Sequence, residues 1–164
     1  MAAATEQETP TVSDGGKPPE SRSRRAARPL TDQEVAAVVE RNYCAIFATA
    51  ANGEPYAVPL VYGFDSGAFY AVLSPGRKVR NIEANPRVCV TILEVEDMGK
   101  RWRSVVATGT ASWVEGEEAL RSALDVIRRQ YPGAPIRSSG GAPALGGYRM
   151  LRVAVAELAG RAND

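Results

Sequence analysis

Three apolar runs follow one another with only turn residues between them: Cys44 to Ala50, Pro55 to Phe64 and Ala68 to Leu73. Asn52-Gly53 separates the first pair and Asp65-Ser66-Gly67 the second, and both spacers carry the residues that tight hairpin turns demand. Downstream come Arg87 to Glu94, rich in strand formers, then Trp102 to Val114 and finally Tyr148 to Leu158. Gly109 interrupts the longest run, where a bend or bulge is expected. No series of strands alternating with helices appears, which disfavours a doubly wound fold. Hairpin-linked strands with glycine bends predict a small, mainly β, closed barrel, because closure removes exposed edges.

Short helices complete this frame. Thr31-Asp32-Gln33-Glu34 is a capping box, and Val35, Val38 and Val39 follow at helical spacing, predicting a helix over 31–42. Glu117 to Tyr131 places Leu120, Leu124 and Ile127 on one face, as a surface helix does. Residues 1–29 hold almost no large apolar side chain and are expected to form a disordered tail, leaving one domain over 30–164. Pro132 to Gly147 is expected to be a long mobile loop, of the kind that is either disordered or a lid.

With 164 residues, 45% of them apolar, the chain has enough for one real core. A net charge of +1 gives no electrostatic footprint for nucleic acid or an acidic membrane. No run of about 18 apolar residues occurs and the first residues do not resemble a secretory signal, so the cytoplasm is the expected location. Cys44 and Cys89 lack the spacing of a metal or redox pair and read as small buried hydrophobes. There is no histidine. That removes histidine-based triads, histidine-ligated zinc and a histidine axial ligand for haem, and leaves a borrowed cofactor as the agent of any redox chemistry.

Ser74 to Arg87 is the stretch with most chemical content. Ser74 can cap a helix, Pro75 suits the first helical position, Val79 and Ile82 form an apolar stripe, and Asn85-Pro86 ends the segment. Arg77 and Lys78 therefore fall at a helix start, where unpaired N–H groups already present positive charge. An anion, most commonly a phosphate, resolves that conflict; basic side chains pointing into water are the plain alternative. Pro59 cannot donate to a strand ladder, so Val58-Pro59-Leu60-Val61-Tyr62 is an edge, a bulge or the mouth of a site. Trp102 and Tyr62 offer flat apolar surface and Ser104 a hydroxyl. A planar heteroaromatic carrying a phosphate would use all of these, although a core Trp and Tyr need no ligand.

In order and spacing, the run from Ala48 to Ile92, the strand Trp102 to Val114 and the final strand ending at Arg161 resemble the pyridoxamine 5′-phosphate oxidase-like superfamily, the FMN-binding split barrels. The nitroimidazole-resistance branch is the most similar. Gly76, Lys78, Asn81, Ile82, Asn85, Pro86, Arg87 and Val88 carry the resemblance, with Trp102, Ser104 and Val105.

That resemblance implies a six-stranded antiparallel split barrel of Greek-key type and a homodimer with two FMN sites at the subunit interface. Arg77 and Lys78 would supply charge to the flavin phosphate and Ser104 a hydroxyl, with Asn81 in the same motif. Val58, Pro59, Leu60, Val61 and Tyr62 would lie along the isoalloxazine ring, with Leu73 and Ser74 beside it. Trp102 stands where the family often has tyrosine and would stack. Ala71 stands where many nitroimidazole-resistance relatives carry a histidine, so activity resting on an imidazole is not expected. The implied activity is an FMN-dependent oxidoreductase passing electrons from a reduced nicotinamide to a small organic acceptor. A deazaflavin-dependent reductase and a non-catalytic flavin-binding protein are the alternatives.

Overall fold

The computed structural model describes residues 26–134 and 147–163. The expected tail up to position 25 and the central part of the expected loop, 135–146, lie outside the described residues. In chain order the elements are β1 (Arg28–Pro29), α1 (Asp32–Arg41), β2 (Cys44–Ala51), β3 (Glu54–Val61), β4 (Gly63–Asp65), β5 (Ala68–Leu73), α2 (Arg77–Ala84), β6 (Arg87–Glu96), β7 (Arg101–Trp113), α3 (Glu117–Gln130) and β8 (Arg149–Asn163).

The strands form one antiparallel sheet in the order β3-β2-β6-β7-β8-β5-β4, with β1 paired to β8. β3 and β4 stand at opposite ends of that path, yet only Tyr62 separates them in the chain. The sheet must therefore curl until its ends meet, and it closes with an unladdered seam where β3 approaches β5. This is a split barrel. The six expected strands are present; the two additions are short.

The run expected as one strand over 55–64 divides at Tyr62. The amide of Tyr62 donates to the Tyr43 carbonyl at 2.9 Å, and its fully buried hydroxyl donates to the Val39 carbonyl at 2.8 Å. These bonds turn the chain from one end of the sheet to the other. β8 runs on to Asn163, five residues beyond the expected end, because its backbone keeps pairing with β7. Arg28 and Pro29, placed in the tail by composition, pair with Ala162 and Arg161.

Alternation decides the faces. Phe47, Val88, Val90, Ile92, Val105 and Ala107 point into the barrel with Phe69, Leu151 and Val153. Val35, Val38 and Val39 of α1 join this core, and α1 begins with the expected capping box between Thr31 and Glu34. α3 packs against β4 and β5 through Leu124 and Ile127. Gly63 permits this approach: a Cβ there would stand 2.6 Å from the Ile127 backbone nitrogen. The bulge expected at Gly109 is observed as a register shift between Thr108 and Gly109 against β8. A Cβ on Gly109 would lie 2.4 Å from the Ala154 carbonyl oxygen.

Among the described residues no helix is long and apolar enough to cross a membrane.

Candidate functional site

β3 is the edge strand that Pro59 announced. It pairs with β2 from Val61 to Glu54 without a bulge and stands at the end of the sheet path, so Pro59 marks an edge strand rather than a bulge. Its other side faces the seam, alongside β5 and the start of α2. Strand edges offer peptide N–H and C=O groups that a flat heterocycle can match.

α2 begins differently from the expectation. Its N-cap is Gly76, no side chain caps it, and Arg77 rather than Pro75 is its first residue. Gly76 adopts a φ of 150°, outside the range that would let Ser74 and Pro75 enter the helix. Ser74 serves instead as acceptor for the ammonium of Lys78, at 2.9 Å. The first turn carries no acidic residue. Arg77 lies over the Tyr56 ring, 5.0 Å from its centroid, and its nearest carboxylate, on Glu54, is 4.0 Å away. Two cations and the free N–H groups of an uncapped helix thus gather beside a strand edge, a donor set suited to a phosphate dianion.

α2 is held against the barrel at several points. The Asn81 side chain donates to the Thr49 hydroxyl at 3.2 Å, and Asn85 donates to the Ala50 carbonyl at 3.0 Å. Glu83 pairs with Arg149 at 2.5 Å, and the Arg149 guanidinium lies 3.6 Å from the centroid of the Trp113 ring. None of Thr49, Tyr56 or Arg149 was singled out from the sequence. Thr49 had a signal, as the one polar side chain in the run from Cys44 to Ala51.

The residues expected at the site separate into three groups. Ser74, Arg77 and Lys78 gather at the helix start, with Val58, Pro59, Leu60 and Val61 along the adjoining edge strand. Tyr62, Leu73 and Asn81 are buried, at 0%, 0% and 7% exposure. Tyr62 therefore cannot present its ring to a ligand as expected; its hydroxyl is spent on Val39, and burial pushes its pKa up. Trp102 and Ser104 lie elsewhere. Ser104 pairs with Leu93, and Leu93 is five residues along β6 from Val88, the partner of Thr49. That is roughly 17 Å along the strands, with three inter-strand spacings, about 14 Å, between β3 and β7. Within one protomer they do not meet Lys78.

Trp102 and Ser104 project instead onto the outer face of the sheet. Pro59, Ile46, Thr91, Val106 and Ala159 form a continuous row across that face over five strands. Leu93 and Val95 share it, and Ile46, Leu93, Val95 and Val106 are 40–59% exposed. The cysteines depart from the expected burial: Cys44 is exposed and Cys89 partly so, because alternation turns both outward. A groove of about 350 Å³, bounded by Pro55, Ala48, Arg87, Cys89 and Thr108, opens on the same face.

The profile of the pyridoxamine 5′-phosphate oxidase family matches residues 31–162. An uncharacterized protein of Rhizobium meliloti (strain 1021) is 32% identical over 82 residues, 50% of this chain; the match spans 54% of that relative's length. A FAD-binding protein of Mesorhizobium loti is 27% identical, with a TM-score of 0.69 over 85% of this chain and 100% of the other. A candidate 5-nitroimidazole antibiotic resistance protein of Bacteroides thetaiotaomicron shares the fold, with a TM-score of 0.72, 22% identity and coverage of 84% and 89%. With the profile spanning the chain from the start of α1 into the last residues of β8, the chain belongs to the pyridoxamine 5′-phosphate oxidase family.

Proposed function

We propose that this protein binds FMN along the seam beside β3 and acts as an FMN-dependent oxidoreductase. The observation that carries the proposal is the free edge of β3 ending beside the uncapped, doubly basic start of α2. A flavin mononucleotide has both complements, a heterocyclic edge rich in donors and acceptors and a phosphate dianion. Arg77, Lys78 and the first N–H groups of α2 would hold the phosphate, with Ser74 keeping the Lys78 ammonium in place. The backbone of Val58 to Val61 would face the ring. FMN would supply hydride chemistry there, between a reduced nicotinamide and a small organic acceptor such as a nitro compound. The FAD-binding relative of Mesorhizobium loti supports a flavin.

The working unit in this proposal is a homodimer. Trp102 and Ser104 are too far from Lys78 in one chain to share a ligand with it, and they stand on a broad apolar face. Monomeric proteins rarely expose contiguous apolar patches of this kind, and two copies joined through the face would supply the second wall of each site. A reduced-nicotinamide donor is consistent with a cytoplasmic location.

Anaerobic mixing of the flavin-loaded protein with reduced nicotinamide tests the activity. Bleaching of the flavin absorbance, reversed by a nitroaromatic acceptor, is the expected result. A bound flavin that stays oxidised with every donor would make the protein a flavin carrier, and a chromophore absorbing as a deazaflavin would replace FMN.

A further inference from the structure

The contacts around the start of α2 close on themselves. Asn81 lies four residues after Arg77 and three after Lys78, so it occupies the same helix face one turn further in. Its amide donates to the Thr49 hydroxyl at 3.2 Å, and that hydroxyl donates to the Tyr56 carbonyl at 3.3 Å. The Tyr56 ring in turn lies under the Arg77 guanidinium. Thr49 and Asn81 are only 5% and 7% exposed. Neither can touch a ligand at the helix start, yet both are tied to the residues that would.

We propose that Thr49 and Asn81 are positioning residues for the anion grip, acting through Tyr56 on Arg77 and through α2 on Lys78. The proposal rests on the FMN-binding reading above. Thr49 and Tyr56 face each other across β2 and β3, so the hydroxyl couples the helix to the strand whose free edge lies along the seam. Loss of the Thr49 hydroxyl unties Asn81 from Tyr56 and lets the helix start shift relative to that edge. Buried polar networks of this kind act as a unit, since a partner left without its hydrogen bond keeps its desolvation cost. The effect belongs to the phosphate end of the ligand. A flavin without a phosphate should not register it.

Titration with FMN and with riboflavin separates this role from general support of the fold. For Thr49→Val we expect FMN affinity to fall about tenfold while riboflavin affinity changes less than about twofold, the scale of one buried hydrogen bond acting at one end of the ligand. Thr49→Ser restores the hydroxyl and should restore the preference for FMN. Tyr56→Leu removes the ring under Arg77 at a partly exposed position and should lower FMN affinity selectively without disturbing the core. Equal loss of both ligands, or an unchanged FMN preference in both Thr49→Val and Tyr56→Leu, overturns the positioning role while leaving the FMN site standing. Wild-type protein that binds neither ligand, or binds both equally, overturns the FMN site and the positioning role together.

Discussion

The ammonium of Lys78 donates to the hydroxyl of Ser74 across 2.9 Å, bridging the end of β5 to the first turn of α2. Lys78 is thereby held at the helix start, and among the described residues no carboxylate is paired with it. Lys78→Ala should weaken FMN binding by about 1.5–3 kcal/mol, the range for a hydrogen bond to a charged group. Fluorescence titration of the variant checks this, and unchanged affinity would mean that the anchor lies elsewhere.

Val106 sits within the outward-facing row, between Thr91 and Ala159. A charge there would be buried on association, so Val106→Glu should yield a monomer by light scattering and lose FMN with it. Cys44 and Cys89 provide a second readout on the same face. Their reaction with a thiol reagent should be slow in the wild type and fast in the variant.

Gly63 has the Ile127 backbone 2.6 Å from where a Cβ would be, and backbone cannot move aside as a side-chain end can. Gly63→Ala should destabilise the fold by roughly 1–3 kcal/mol through overpacking of α3 on β4. Urea unfolding measures it. A Gly67→Ala control meets no atom within 4 Å but has a φ of +72°, so its cost is conformational.

Two carboxylates link α1 to its surroundings, and both titrate below the ordinary range. Glu34 is held down to about 2, first by the Arg28 guanidinium and then by the Thr31 backbone N–H. Glu94 is lowered chiefly by Arg41, with Asn42 adding a hydrogen bond at 2.7 Å. Because the unfolded chain takes up these protons first, the contribution of Glu34 is complete above about pH 4.5 and drains away as pH falls towards 2, and that of Glu94 is lost in the same direction as its lowered carboxyl takes up its proton. Melting temperature should drop over that window. Glu94→Gln should lower it at neutral pH and shrink the drop.

Much of the barrel is readable from local chemistry. Asn52-Gly53, Asp65-Ser66-Gly67, the Thr31–Glu34 box, the bulge at Gly109 and the edge position of Pro59 each follow from backbone requirements of a few residues. What escaped was set by long-range pairing. Tyr62 divides an unbroken apolar run because Tyr43 and Val39, distant in sequence, bind its amide and hydroxyl. Residues 159–163 carry no large apolar side chain and are strand because β7 lies beside them. At the site, Arg77 and Lys78 were visible as misplaced charge. The buried link from Asn81 through Thr49 to Tyr56 joins three elements, and no local pattern reveals it.

Calorimetric titration of the purified apoprotein with FMN, at a mass fixed by light scattering, bears most directly on the seam beside β3 as a cofactor site. Saturable binding of one FMN per chain to a dimer, weakened in Lys78→Ala and lost in the monomeric Val106→Glu variant, is the predicted result. A protein that takes up no FMN, or one whose FMN stays equally tight in both variants, would contradict it.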